Sequence, residues 1–142
     1  MWAPLNFDSF STHFDVNELF DGKRWHETGF IAPIAGPEIA PPAEAMRSVD
    51  YEIAWRPGTR TAEWFELTMT PWVGEPTTIR LERWDLPVGN PTAFDRLHVQ
   101  AIVRATTSGG IGEHEGIGIL EQLALGRHDP TGLTGLLDGW KR

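Results

Sequence analysis

Hydrophobic and polar residues alternate along most of the chain with a period of two, which is typical of β-strands that bury one face. The clearest case is residues 48–56, in which Val49, Tyr51, Ile53 and Trp55 share one face and most of the other face is polar. Similar alternation covers residues 9–16, 23–31, 61–70, 77–86, 93–107 and 112–125. The pattern therefore predicts about seven to eight strands.

Glycine and proline separate these strands, and none of the segments has a convincing helical period. Asp21-Gly22, Pro57-Gly58 and Gly109-Gly110 stand at the expected turns. This arrangement predicts one all-β domain over residues 1–142, an antiparallel barrel or sandwich. Residues 32–46 contain four prolines and are predicted to form a long loop at the rim. Residues 126–142 are predicted to form an irregular tail.

Composition narrows the classes of partner. The chain of 142 residues has a net charge of −8 and no cluster of lysine and arginine, which argues against binding to nucleic acid or to an anionic membrane. It contains no cysteine, no apolar run long enough to span a membrane and no visible signal peptide, so we expect a cytoplasmic protein. The histidines are scattered, and we expect neither a metal site nor a cofactor. Seven Trp and seven Phe can fill a core and line a pocket.

The stretch from residue 112 to residue 122, GEHEGIGILEQ, contains the most unusual charge. Its first two glutamates and His114 are close to a turn and are predicted to be solvated. Glu121 instead shares a strand face with Ile119 and Leu123, so its carboxyl is predicted to point into the barrel, where it needs a partner or a proton. Arg83 shares a face with apolar residues in the same way. Two interpretations follow: an internal Arg83–Glu121 ion pair, or a pocket carboxylate that acts as an acid, a base or a polar anchor.

Other candidate site residues are aromatic or ambiguous in register. Trp25, Tyr51, Trp55 and Phe65 are predicted to contact a ligand together with Arg83. His26, in the segment RWHETGF, can reach the interior in one of two registers and is a second candidate for catalysis beside Glu121. The chain lacks a G-x-S-x-G elbow and a phosphate-binding loop, which leaves serine hydrolase and nucleotide chemistry without support.

The order of these features resembles a known group of proteins. MWAPLNF leads into FDGKRWHETGF, then come a proline-rich link, several alternating strands and the closing Gly116-x-Gly118-x-x-Glu121. This order is similar to the C-terminal lipocalin-like domain of the carotenoid 1,2-hydratase / AttH-like superfamily, to which tocopherol cyclases and lipocalin-type Diels–Alderases are related in structure. The resemblance implies a lipocalin-like antiparallel β-barrel that binds bulky apolar molecules, with Glu121 at the glutamate position of the group.

Three functions remain open at this point. The first is cofactor-free hydration, cyclisation or isomerisation of a hydrophobic substrate by proton transfer from a desolvated carboxyl. The second is a carrier that binds a hydrophobic small molecule without chemistry. The third is a structural barrel whose exposed aromatic residues form an interface, as in a homodimer.

Overall fold

A computed structural model describes residues 1–34, 44–57, 62–83, 88–92 and 96–124. These residues form nine antiparallel strands and contain no helix of the length and apolar character that a membrane span requires. In chain order the strands are Trp2–Phe7 (β1), Phe10–Glu18 (β2), Arg24–Pro33 (β3), Glu44–Trp55 (β4), Ala62–Pro71 (β5), Thr77–Arg83 (β6), Val88–Thr92 (β7), Arg96–Gly109 (β8) and His114–Ala124 (β9).

Eight of the strands close into a barrel. Their order is β6-β5-β4-β3-β2-β1-β9-β8, and β8 pairs again with β6 from Gly109↔Thr77 to Val103↔Arg83, which joins the two edges of the sheet. The first part of the long strand β8 extends beyond β6 and pairs with the short strand β7. The prediction of an all-β antiparallel barrel is confirmed.

The strands turn inward the faces that their alternation predicts, with one exception. Phe10, Thr12, Phe14 and Val16 of β2 are buried, as are the inward residues of β5 and β6. The largest fully buried side chains are Phe14, Phe65, Leu5, Leu67, Met69, Ile79, Leu81, Val16, Val49 and Val103. They fill the middle of the barrel as one close-packed core.

The exception is β9, whose inner face carries glycine where apolar residues were predicted. A Cβ atom on Gly118 would lie 2.2 Å from the carbonyl oxygen of Pro4, and one on Gly116 would lie 2.5 Å from the carbonyl oxygen of Asn6. The two glycines therefore let β1 approach β9 closely, and the side chains of β1 fill the space beneath them. The isoleucines of β9 consequently point outward.

Several predicted boundaries also differ from the structure. Strand β1 was not predicted, and residues 88–92, predicted as a break, form the edge strand β7, where a proline is tolerated. Residues 32, 33 and 44–46, predicted to be loop, belong to β3 and β4. The remainder of the predicted rim loop, residues 35–43, and the predicted tail, residues 126–142, lie outside the described residues.

Candidate functional site

One end of the barrel gathers most of the candidate residues. Because neighbouring strands are antiparallel, β2, β4, β6 and β9 finish at the same end at which β1, β3, β5 and β8 begin. We call this the Arg83 end, since β6 finishes there with Arg83. Tyr51 and Trp55 near the end of β4, and Trp25 and His26 near the start of β3, lie at the same end.

Arg83 points into the barrel, as the alternation of β6 predicts. Its strand places Thr77, Ile79 and Leu81 on the inner face, all of them buried, and Arg83 follows in the same series. The Nη1 atom of Arg83 is buried and has no hydrogen-bond partner, and no ion pair within the described residues includes this guanidinium group. A buried donor without an acceptor is unusual and costly, which marks Arg83 as the most distinctive polar group of the interior.

A small cavity lies against Arg83 between β5, β6, β8 and β9. Its volume is about 10 Å³, which is close to the room that one water molecule requires. Most of its lining is apolar and much of it is small: Ala62, Leu81, Ala101, Val103 and Leu120, with Gln122 and parts of Glu63 and Trp64. The cavity can therefore accept one small polar group beside the guanidinium, and the filled core beneath it blocks anything larger.

Gln122 closes this end of the barrel and was not predicted to be a site residue. Its side chain is buried and crosses the interior from β9 to β5, where Oε1 accepts a hydrogen bond from the backbone N–H of Ala62 at 2.9 Å. The sequence contained a usable indication, because Gln122 shares its face with Leu120. A glutamine at the end of an inward face is a polar group that requires an internal partner.

The structure corrects the prediction that Glu121 points into the barrel. Since Leu120 and Gln122 are buried, Glu121 lies on the outer face, where its Oε2 accepts a hydrogen bond from Gln100 Nε2 at 2.9 Å. The predicted Arg83–Glu121 ion pair is therefore wrong, because the two side chains lie on opposite sides of the barrel wall. The face was misassigned because the apolar residues beside Glu121 are themselves exposed: Ile117, Ile119 and Leu123 are 45%, 41% and 55% accessible.

Tyr51 and Phe65 belong to an aromatic stack inside the barrel. The Phe65 ring lies 5.3 Å from that of Phe14 and 5.1 Å from that of Tyr51, in both cases nearly parallel. Phe65 is fully buried in the core, whereas Tyr51 is half-buried and its hydroxyl donates a hydrogen bond to Glu18 Oε1. Tyr51 therefore lies at the boundary between the packed core and the open end, and Phe65 lies beneath it.

Arg24 holds the β2–β3 hairpin to β4 at this boundary. Strands β3 and β4 pair at Phe30 and Ile31, and towards the Arg83 end the guanidinium of Arg24 bridges them by hydrogen bonds to the Asp50 carboxylate (2.9 Å) and the Val49 carbonyl (3.0 Å). It also lies 4.7 Å from the centre of the Tyr51 ring. Burial disfavours its charge, but hydrogen bonds to Asp50 and Glu27 outweigh that effect and raise the pKa of Arg24.

The hairpin that precedes Arg24 exposes apolar side chains beside this end. Asp21-Gly22 forms the predicted turn, in which Asp21 Oδ1 accepts a hydrogen bond from the Lys23 N–H at 2.9 Å. Phe20 and Trp25 are 68% and 65% accessible, and the Trp25 ring lies 5.8 Å from that of His26. His26 is exposed and points away from the interior. The prediction that His26 reaches a substrate inside the barrel is therefore wrong.

His13 is a further titratable group with an unusual environment. It lies on the outer face of β2 with its ring 5.4 Å from that of Trp2 and 5.3 Å from that of Phe30. Its Nδ1 atom is buried and has no hydrogen-bond partner. Burial lowers the pKa of His13, and the nearby Asp15 carboxylate offsets part of that effect.

The opposite end of the barrel carries the histidine of the GEHE segment. An open depression of about 470 Å³ lies there, lined by Thr106, Thr107, Glu113, His114 and Glu115. The two glutamates are exposed, as predicted, and His114 Nε2 contacts the Ile111 carbonyl at 2.9 Å. Among the described residues no three His, Asp or Glu side chains are placed to hold a metal ion.

Fold and site together define the class: an eight-stranded antiparallel β-barrel with a filled middle and a mostly apolar cavity at one end, beside an arginine whose buried Nη1 has no hydrogen-bond partner among the described residues. The chain belongs to the family of unknown function DUF8625, whose model matches residues 1–83 and 71–134. No curated protein and no solved structure matches the chain.

Proposed function

We propose that the protein binds a hydrophobic small molecule at the Arg83 end of the barrel. The observation that carries this proposal is the cavity beside Arg83, where the buried Nη1 atom, without a hydrogen-bond partner among the described residues, faces a mostly apolar lining. Ligand sites typically combine apolar walls with a few polar groups that fix orientation. The half-buried Tyr51 and Trp55 and the exposed Phe20 and Trp25 offer apolar surface at the same end.

The filled core sets where such a ligand lies. Since Phe14, Phe65 and Leu67 leave no room in the middle of the barrel, only a small part of the ligand reaches the cavity. The body of the molecule then extends outward, past Trp55 and along the β2–β3 hairpin. This mode differs from the deep, wide pocket that the resemblance to lipocalin-like proteins suggests, although that resemblance supports the same general activity.

Binding without chemistry has more support than catalysis. The acid proposed for catalysis, Glu121, lies outside the barrel, and His26 is exposed on the hairpin. The carboxylate of Glu18 is at the Arg83 end, but it accepts a hydrogen bond from Tyr51. A carrier function therefore has the most support, because it requires no proton donor inside the barrel.

Native mass spectrometry of the purified protein, together with a titration with the neutral dye Nile red, tests this proposal. We expect a co-purifying lipophile or saturable dye binding. Trp25→Ser should weaken dye binding, whereas Trp72→Ser, which removes an equally exposed tryptophan at the opposite end, should leave it unchanged. Absence of both a lipophile and saturable dye binding would rule the proposal out, and equal loss in the two variants would place the dye elsewhere.

The outer face of β8 and β9 supports a second candidate function, association of two copies of the chain. Ile102 and Ile119 pair directly and are 46% and 41% accessible. Arg104 and Glu121 lie diagonally on either side of this pair, since Arg104 is opposite Ile117 and Glu121 is opposite Gln100. A two-fold axis through the isoleucine pair would bring Arg104 of each copy beside Glu121 of the other, around an apolar centre.

Light scattering coupled to size-exclusion chromatography tests this second candidate. A dimer is expected for the wild type, and Ile119→Lys should convert it to a monomer by placing a charge at the centre of the interface. Val73→Lys, at an exposed turn at the far end of the barrel, is the matched control and should leave the dimer intact. A monomeric wild-type protein would contradict the self-association proposal.

A further inference from the structure

We propose that the ligand is an amphiphile with a carboxylate group, and that this carboxylate pairs with Arg83. The inference rests on the proposed function, because it identifies the chemical class of the molecule that occupies the same site. It begins from the Nη1 atom of Arg83, which is buried inside the barrel without a hydrogen-bond acceptor. A guanidinium group is always ionised and only donates hydrogen bonds, so its missing partner is an acceptor and preferably an anion.

No side chain of the described interior supplies that anion. Among the buried polar residues, the threonines are neutral and Gln122 already accepts the Ala62 N–H with its oxygen. Three acidic residues at this end have other partners: Glu18 accepts from Tyr51, and Asp50 and Glu27 bind Arg24. Glu63 contributes to the cavity lining, but it is exposed and forms no ion pair with Arg83. Arg24 at this end is thus paired with two carboxylates, whereas the buried Nη1 of Arg83 faces a cavity and has no acceptor among the described residues.

The size and lining of the cavity select among anions. About 10 Å³ admits a group of the size of one water molecule, which suits one oxygen of a planar carboxylate and is tight for a tetrahedral phosphate or sulfonate. A carboxylate also matches the planar guanidinium fork. Because Ala62, Leu81 and Leu120 surround the cavity, the carbon atoms next to the carboxylate meet an apolar wall. These features together describe a monocarboxylic acid with a hydrophobic body.

A matched ligand series tests the inference. Decanoate, decanol and decyl phosphate are used to displace Nile red from the wild-type protein at pH 7. We expect decanoate to bind at least tenfold more tightly than either of the other compounds. Equal displacement by decanoate and decanol would overturn the carboxylate inference and leave the proposed hydrophobic site intact. Tighter binding of decyl phosphate would also overturn it, and no saturable Nile red binding would overturn both proposals.

Two arginine variants separate recognition by Arg83 from a general effect of positive charge. Arg83→Met should reduce the preference for decanoate over decanol to less than twofold. Arg80→Met is the control: Arg80 lies three residues earlier on the same strand but on the outer face, where it packs on Trp64 and pairs with Glu66. The control should retain the tenfold preference, and an equal loss in both variants would contradict the inference.

A measurement on the wild type alone covers the case in which Arg83→Met does not fold. The affinity for decanoate should fall as the pH is lowered through the range in which the ligand carboxyl gains its proton, while the affinity for decanol stays constant. If the affinities for decanoate and decanol changed with pH in the same way, the ionised carboxylate would not be the group that is recognised.

Discussion

Replacing Arg83 with methionine tests whether the unpaired guanidinium destabilises the ligand-free barrel. Methionine keeps a flexible apolar stem of similar length and removes every N–H donor. Because Nη1 is buried without an acceptor, the wild type bears the cost of an unsatisfied donor, about 1–3 kcal/mol. Arg83→Met is therefore expected to increase the free energy of unfolding by about 1–3 kcal/mol.

Urea unfolding monitored by tryptophan fluorescence measures this change, after bound lipophiles have been removed by unfolding and refolding. For an m-value of about 2 kcal/mol/M, a gain of about 2 kcal/mol moves the midpoint upward by about 1 M. Arg80→Met should behave in the opposite way. It removes a surface ion pair with Glu66 and a contact over the Trp64 ring at 3.7 Å, so its midpoint should fall, by the equivalent of about 1 kcal/mol or less.

A loss of stability in Arg83→Met would contradict an unsatisfied Nη1 donor in the ligand-free barrel. It would mean that the guanidinium is paired in the ligand-free protein, so that the cavity beside it does not await an acceptor. The carboxylate inference would then lose its physical basis. An m-value unchanged from the wild type is required for the comparison, because a changed m-value indicates a different unfolded or folded state.

Three further outcomes are expected from other parts of the barrel. Glu121→Gln should change the unfolding free energy by less than about 1 kcal/mol and leave Nile red binding intact, because the side chain lies on the outer face, where it accepts a hydrogen bond from Gln100; a loss of binding would return Glu121 to the site. Gly118→Ala should destabilise the protein by about 1–3 kcal/mol or more in urea unfolding, since the new Cβ would lie 2.2 Å from the Pro4 carbonyl oxygen; a neutral result would show that β1 can move away. Burial lowers the pKa of His13 below its unfolded value of about 6.5, so the folded state binds fewer protons than the unfolded state. The free energy of unfolding should therefore fall as the pH drops from 7 through the folded pKa. His13→Leu should flatten that part of the stability–pH curve, and an unchanged curve would contradict a lowered pKa at His13.

The alternation of residues predicts most of this fold because a barrel wall has one apolar and one wet face. Val49, Phe65 and Ile79 are apolar and buried in strands whose other face is polar, and Arg83 continues such a face into the barrel. The period of two is therefore enough to orient β2, β4, β5, β6 and β8. The short strand β1 was missed because its six residues, Trp2–Phe7, give only a brief alternation that includes a proline.

Strand β9 shows where the pattern is insufficient. Its inner face is Gly116, Gly118, Leu120 and Gln122, and its outer face carries isoleucines, so hydrophobicity alone indicates the wrong face. The glycines are required by contact with β1, a tertiary fact that the sequence of β9 does not contain. Glu121 was consequently predicted to be inside, and Gln122, which closes the end of the barrel, was overlooked.

The environment of Arg83 also depends on contacts between distant strands. The sequence shows an arginine on an apolar face, which predicts a buried guanidinium with a partner. Only the folded barrel shows that β5, β6, β8 and β9 form the cavity. It also shows that the Gln122 side-chain oxygen accepts a hydrogen bond from the Ala62 N–H. The sequence thus identifies the unusual residue, and the structure identifies what is missing beside it.

If Arg83 binds the carboxylate of a hydrophobic acid, the carboxyl carbon of a labelled ligand reports on this contact directly. In ¹³C NMR of decanoate labelled at the carboxyl position, we expect a separate resonance for the bound acid in the wild-type protein. The positive charge of Arg83 should stabilise the ionised form, so the pKa of the bound carboxyl should be lower than that of the free acid. This lowering of the carboxyl pKa should be lost in Arg83→Met and kept in Arg80→Met. A bound carboxyl that titrates like the free acid, or one whose pKa is raised, would contradict the claim.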